Sequence, residues 1–337
     1  MCSLKSVNAK IDKRLQYYLI GCVFGCLLLA VLPKPFKLKR STTGEKSSLL
    51  HGDYPYSHTD GYKRTINLSG PPQRIVSLAP SITEIIYAIN ASEYLVANTH
   101  DCNYPKGARN LPKIGERLRP DIEGIIQYNP DLILGDLFTS PAQYKQMADL
   151  GLVAIAMKQT HLDVILHDIL IVGKLLGRPN EAMELVVEIQ NQRNLIIERI
   201  SVLKKREPVR VIFLYDLDQL VIAGSNLWVK EFVTLCQAID IADEVSKPAS
   251  QLSFGLMTET NPEVIILALS LEDIALIKKE GNIDKLADHS IWKNSTAVRD
   301  HQIITMDKDL LSSSGSRILV AMDVIARAIH PDISLSL

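Results

Sequence analysis

The densest group of side chains able to do chemistry is His100-Asp101-Cys102-Asn103-Tyr104-Pro105. It follows Leu95-Val96-Ala97-Asn98-Thr99, a run that reads as a strand. Polar and aromatic residues crowded past a strand end make the kind of loop that binds ligands. Glu116-Arg117 and Asp136-Leu137-Phe138 bring further charge and a second ring after later turn and strand signals. Acid/base catalysis would have to draw on Asp101, Glu116 and Asp136, the dense carboxylates of this half. In the second half Asp216 follows another strand-like run, and Asn226 and Trp228 close the segment Gly224-Ser225-Asn226-Leu227-Trp228. Trp228 has two readings, a ring stacked on a flat macrocycle or a core residue. His100 and Asp101 likewise either ligate a metal centre inside a chelate or form plain surface.

Motifs that would specify an enzyme are missing. The chain has no Gly-x-Ser-x-Gly elbow, no phosphate-cradling glycine loop and no His-Glu-x-x-His. His161 and His167, six apart on an expected helix, do not share a face well enough to chelate. The five cysteines show no Cys-x-x-Cys pair and no zinc spacing; Cys102 and Cys236, one per expected lobe, read as two free or buried thiols, the alternative being a bridge that would hinder lobe movement. A net charge of −1 argues against nucleic-acid binding. At 337 residues and 47% apolar, the chain is long enough for two cores.

The elements that must position these residues announce themselves by repetition. Arg74-Ile75-Val76-Ser77-Leu78 is followed 55 residues after Arg74 by Asn129-Pro130-Asp131-Leu132-Ile133-Leu134. Arg210-Val211-Ile212-Phe213-Leu214 is followed 51 residues after Arg210 by Asn261-Pro262-Glu263-Val264-Ile265-Ile266. These short β-branched runs read as buried parallel strands, and the period is too long for a solenoid. Two lobes of related topology, with a cleft between them, are expected. In the first, Ser81 and Glu84 spell a capping box, and Ile82, Ile85, Ile86 and Ile89 form one helical stripe. The helix would turn its positive end to the carboxyl edge of a strand, where open α/β sheets bind ligands; on that basis Ser81 is a candidate. Asp121 is expected to cap a helix over 122–128. Residues 180–205 contain no Gly or Pro and predict one helix of roughly 39 Å capped by Asn180.

Residues 15–32 carry no charge and are flanked on both sides by Lys and Arg. They read as an uncleaved signal anchor or a signal peptide after a cytoplasmic stretch, residues 1–14. Residues 33–70 then read as a flexible spacer, with a short edge strand at Thr65–Leu68. The expected divisions are a first lobe over 71–179, a linking helix over 180–206 and a second lobe over 207–337.

From Pro72 to Ile133 the ordered set Pro72-Gln73-Arg74-Ile75-Val76-Ser77-Leu78, Pro80-Ser81-x-Thr83-Glu84, Tyr104-Pro105, Ile114-Gly115, Asp121-Ile122-Glu123 and Asn129-Pro130-Asp131 resembles the substrate-binding proteins of cobalamin and iron-chelate ABC importers. Asp309-Leu310-Leu311 and Gly315-Ser316-Arg317-Ile318-Leu319 extend the resemblance towards the end of the chain. It implies an α/β fold of two Rossmann-like lobes, each with a mainly parallel sheet, joined by one long helix around a ligand cleft. It implies a periplasmic or extracytoplasmic binder of a bulky metal chelate, cobalamin or else a ferric siderophore or haem, with no catalytic activity. The partners implied are a permease and an ATPase, and the protein is expected as a membrane-tethered monomer without a cofactor or metal of its own. The resemblance places Asp309, Ser312 and Ser313 at the ligand, with Asp101 opposite, where relatives carry an aromatic residue. It makes Glu123 the first-lobe acid that docks on the permease. The second-lobe counterpart is Gly255, with Glu259 one helical turn on as a substitute. An enzyme using a cleft acid/base set is the alternative of another class.

Overall fold

The computed structural model describes residues 54–203, 207–214, 227–244, 260–280, 293–312 and 314–333. The apolar segment 15–32 lies outside them, as do Asp216, Asn226, Ser313, Gly255 and Glu259.

A short antiparallel hairpin, β1 (Tyr56–Thr59) with β2 (Thr65–Leu68), comes first. These residues fall within the stretch expected as a spacer, and among the described residues β2 pairs with β1 alone and edges neither larger sheet. The hairpin is nevertheless built in. Asp60, at its turn, is buried, ion-paired to Arg64, and accepts the amide of Ala156 at 3.2 Å.

Each half then forms one four-stranded parallel sheet. The first contains β3 (Ile75–Ser77), β4 (Leu95–Asn98), β5 (Leu132–Asp136) and β6 (Ala154–Met157), in the spatial order β4-β3-β5-β6. The second contains β7 (Val209–Leu214), β8 (Ala238–Asp240), β9 (Val264–Leu269) and β10 (Ile303–Asp307), in the order β8-β7-β9-β10. Both sheets therefore use the same permutation of chain order. Parallel neighbours need crossovers, and helices supply them. In the first lobe these include α1 (Pro80–Ala88), α2 (Ile122–Gln127) and α3 (Pro141–Asp149). Next come α4 (Leu162–Leu175) and the long α5 (Pro179–Ser201). The second lobe adds α6 (Leu227–Leu235), α7 (Leu271–Glu280), α8 (Lys308–Ser312) and α9 (Ile318–Ile329).

The repeated phrase has one physical role in both lobes. The amide of Arg74 donates to Asp131 Oδ1 at 2.9 Å, and that of Arg210 donates to Glu263 Oε2 at 3.0 Å. Each guanidinium reaches back to a carbonyl just before the Asn-Pro step, Tyr128 for Arg74 and Thr260 for Arg210. Asn129 and Asn261 turn the chain through the left-handed region at φ 44° and 42°, which asparagine tolerates better than most residues. The phrase pins the third strand of each sheet beside the first.

Alternation along the strands divides the core. Leu132 and Leu134 of β5 and Val264, Ile266 and Ala268 of β9 face one shared apolar cluster. Ile133 instead joins an outer first-lobe cluster, while Ile265 and Leu267 join an outer second-lobe cluster. The shared cluster runs through the isoleucines of α1, Ile165 and Ile169 of α4, Ile189 and Ile196 of α5, and Ile318, Met322 and Ile325 of α9. Helix α5 packs against both α4 and α9, so the connection between lobes is a packed layer and not a bare rod. At 23 residues α5 measures about 34 Å. Its start differs from expectation: Arg178 is the N-cap and Pro179 occupies the first turn, leaving Asn180 inside the helix. Proline suits that position because its missing N–H has no helical partner there.

Replacing Asp131 or Glu263 by alanine should each destabilise the fold by about 1–2 kcal/mol, since backbone donors lose a charged acceptor. Urea unfolding checks this; unchanged midpoints in both variants would reduce the phrase to solvated surface.

Candidate functional site

In open parallel sheets the loops beyond the carboxyl ends of the strands gather at one edge, and binding crevices form there. The two sheets here turn those edges towards one cavity of about 450 Å³. Pro80 follows β3; Asp101 and Asn103 follow β4; Ser270, Leu271 and Glu272 follow β9; Lys308 and Asp309 follow β10. Arg109, Arg117, Asp307 and Arg317 complete the lining.

The loop after β4 is held from beneath by Lys113. Its Nζ donates to Asn98 Oδ1 at 2.7 Å and to the Cys102 carbonyl at 3.0 Å. Partial burial lowers the pKa of this amine. Beside it, Gly115 sits at φ 79°, with Arg119 O and Asp121 N only 2.7 Å from where a Cβ would be, so glycine alone fits. Arg117 is fixed three ways. Its amide donates to Asp101 Oδ2 at 2.8 Å, its guanidinium pairs with buried Asp136, and its Cζ lies 3.9 Å from the centre of the Phe138 ring. Phe138 is 55% exposed, which leaves an aromatic surface beside the guanidinium.

Among the described residues the lobes meet beside the cavity in one ion pair. Arg317, at the start of α9, donates to Glu84 of α1 through Nε at 3.0 Å and Nη2 at 2.7 Å. Glu84 is 1% exposed. Burial opposes the charge on Arg317, but the Glu84 hydrogen bond and charge outweigh it and raise its pKa. The same guanidinium lies 4.6 Å from the Tyr104 ring centre and 3.7 Å from Asp307 Oδ2. A second crossing runs from Asn103 Nδ2 to Asp309 Oδ2 at 2.9 Å. Gly315 makes the approach possible, because a Cβ there would sit 2.8 Å from Glu84 Cβ and from Ser81 O.

The expected capping box at Ser81 and Glu84 is corrected accordingly. Ala79 is the N-cap of α1, no side chain caps it, and Pro80 stands in the first turn. Glu84 is spent on Arg317, and the Ser81 hydroxyl donates to Gln159 Oε1 at 2.6 Å. Ser81 is buried under that contact and does not line the cavity. Trp228 is also corrected as a ligand-stacking residue: it is fully buried in the shared core. His100 and Glu116 are exposed and outside the lining, while Asp101, Arg117 and Asp309 line the cavity and Tyr104 flanks it on Arg317. Ser312 ends α8. Asp101 and Asp136 both bind Arg117, Asp136 through a buried ion pair, while Glu116 is exposed and outside the lining, so the three carboxylates do not converge on the cavity as an acid/base set. Both described cysteines are free and buried; burial raises the Cys102 pKa and pushes Cys236 up to about 12, so neither is a reactive thiolate. No group of three or more potential metal ligands occurs among the described residues.

Sequence reasoning missed Arg109, Glu272, Lys308 and Gln159. The clamp was partly visible, since Glu84 and Arg317 both sit in the ordered motif set, but nothing in one sequence pairs two residues 233 positions apart.

A two-lobed α/β binding protein with its cleft at the facing strand ends is the class these features define. The chain belongs to the periplasmic binding protein family, whose pattern matches residues 75–310. It is 24% identical over 315 residues to an uncharacterized ABC transporter substrate-binding lipoprotein of Bacillus subtilis, covering 92% of this chain and 95% of that one. It is 26% identical to a vitamin B12-binding protein of Pectobacterium atrosepticum, covering 75% and 87%. The structure resembles the apo periplasmic heme-binding protein RhuT of Roseiflexus at a TM-score of 0.66 and 26% identity, covering 77% of this chain and 98% of that one.

Exchanging Arg317 for methionine should destabilise the fold by about 3–5 kcal/mol, because a buried carboxylate loses its guanidinium; replacing Glu84 as well should recover much of that. A double-mutant cycle in denaturant measures the coupling, and additive effects would deny the clamp.

A pH prediction concerns Asp168 of α4, which accepts the Gln159 amide at 3.0 Å beneath the Ser81 contact. Burial raises its pKa from 3.8 to about 6. A carboxyl whose pKa is raised on folding favours the fold most at pH below its unfolded value and loses that contribution as pH climbs through the folded one. Stability should fall by up to about 3 kcal/mol between about pH 4 and about pH 7 on this account. Asp168→Asn should erase that slope in urea titrations across the range; a difference from the parent that is constant with pH would refute the assignment.

Proposed function

We propose that this chain is an extracytoplasmic solute-binding protein that captures a bulky metal chelate, cobalamin first, and delivers it to an ABC importer. The observation that carries the reading is the polar cavity at the facing carboxyl edges of two sheets locked by one shared core. Such a preformed cleft suits a large rigid solute, which loses little conformational freedom on binding. Membership of the periplasmic binding protein family and likeness to vitamin B12-binding proteins support it. Ferric siderophores and haem are the alternatives, the latter supported by the likeness to a heme-binding protein. The residues best placed to contact a solute are Asp101, Tyr104, Arg117 with Phe138, and Asp309. Residues 15–32 would tether the protein to the membrane; among the described residues no helix is long and apolar enough to cross one.

Delivery needs a docking surface. Glu123 is exposed in the first turn of α2, whose N-cap Asp121 accepts the Gly124 amide at 3.0 Å. An exposed acid on a capped, fixed helix end is well placed to meet a cation on a permease. Reversing its charge, Glu123→Arg, should abolish uptake by cells carrying the importer while leaving chelate affinity unchanged. Undiminished uptake would remove the docking role. Calorimetric titration of the full-length chain with cobalamin, haem and ferric siderophores tests the reading itself; binding of none, with turnover of a small substrate, would overturn it.

A further inference from the structure

Among the described residues seven non-glycine positions take a positive φ, and six of them, Lys63, Asn90, Asn129, Gln237, Asn261 and His301, are exposed. The seventh, Gln159 at φ 44°, is buried. A left-handed backbone is strained for a glutamine, and such strain persists where the surroundings demand that particular side chain. Asparagine takes this conformation more readily and stands at three of the exposed positions, but not here.

Gln159 lies two residues past β6, on the carboxyl edge where the cleft forms. Its side chain reaches both lobes. Oε1 accepts the Ser81 hydroxyl of α1 at 2.6 Å, and Nε2 donates to the Ser314 carbonyl at the long distance of 3.5 Å. Its own amide is fixed on Asp168 of α4. The junction is close-packed, since a Cβ on Gly315 would lie 2.8 Å from Ser81 O. Ser81 adjoins Pro80, and Ser314 stands three residues before Arg317. Pro80 and Arg317 both line the cavity, so a shift at Gln159 reaches both rims through a few bonds.

We propose that Gln159 is a positioning residue for solute binding: by bridging Ser81 and Ser314 it holds the two rims at the spacing a chelate requires. This rests on the chelate-binding reading above and adds to it a residue outside the cavity lining. Side chains that contact a solute keep their geometry only when such supporting contacts hold them. Without the bridge, part of the population would hold the rims at other spacings, and apparent affinity would fall with the competent fraction. Two neutral hydrogen bonds correspond to about a tenfold change.

The test uses the full-length chain, with cyanocobalamin, hemin and a ferric trihydroxamate as probes. Gln159→Asn keeps the amide and suits the left-handed backbone, but is one methylene too short to reach Ser81. It should bind whichever probe the parent binds about tenfold more weakly, with an unfolding midpoint close to the parent's. Gln159→Met keeps the length, removes both polar groups and should lose as much affinity. Adding Ser81→Ala to it should weaken binding little further, because both changes act through one contact. Asp131→Ala, at the amino end of the strands, should lower the midpoint and leave affinity unchanged, which separates the bridge from general destabilisation. Parent-like affinity in both Gln159 variants, or affinity that follows the midpoint across all variants, would overturn the positioning role while leaving chelate binding intact. Should the Gln159 variants fail to fold, Ser81→Ala alone decides: a several-fold loss of affinity supports the bridge, and none overturns it. Binding of no probe by the parent would overturn both readings.

Discussion

The Glu84–Arg317 pair is the interaction on which the geometry of the cleft depends. It joins the first helix of one lobe to the last described helix of the other, beside the cavity. A buried ion pair is a poor source of net stability, because desolvating both charges offsets most of their attraction. Its worth is directional. Two nitrogens on one carboxylate oxygen, a tyrosine ring beneath the guanidinium and a glycine without a Cβ admit one relative placement of α1 and α9. A shared apolar core can bring the lobes together but cannot choose their register, since apolar packing is not directional.

That division of labour explains what was legible in the sequence. The repeated strand phrase is local: an arginine before a strand, an asparagine in the left-handed region and an acid that takes the arginine's amide. Each contact lies within one lobe and recurs in the other, so the pattern disclosed both sheets, their shared topology and the cleft between them. Helix α5 was legible for a similar reason, being a long run without Gly or Pro, although Pro179 moved its start.

Misreadings came where a side chain's partner lies far along the chain. Ser81 and Glu84 have the right spacing to cap a helix, and local rules favour that use. Tertiary partners won, Gln159 for one and Arg317 for the other. Trp228 was open between a platform and a core residue, and no spacing rule distinguishes them; α9 packing over α6 decided for the core. Asp101 and Arg117 were singled out separately from their place after strands, but that the Asp101 carboxylate accepts the Arg117 amide was not legible, because the contact joins two loops 16 positions apart.

The committed pairs also determine what kind of recognition the cleft can offer. Arg117 and Arg317 arrive at the cavity with buried carboxylates already bound, so a solute need not neutralise them and cannot claim their full charge. Among the described residues, what a solute meets besides them is the aromatic face of Phe138, the ring of Tyr104, the cations of Arg109 and Lys308 and carboxylates at the rim. Rings supply area with little loss of side-chain freedom, and rim carboxylates reward donors without having to be dehydrated in full. A cleft of this composition gains little from burying apolar surface and more from matching the pattern of donors around a rigid body. Holding such a body demands that the two rims stay at a fixed distance, and the clamp beneath them supplies that constraint.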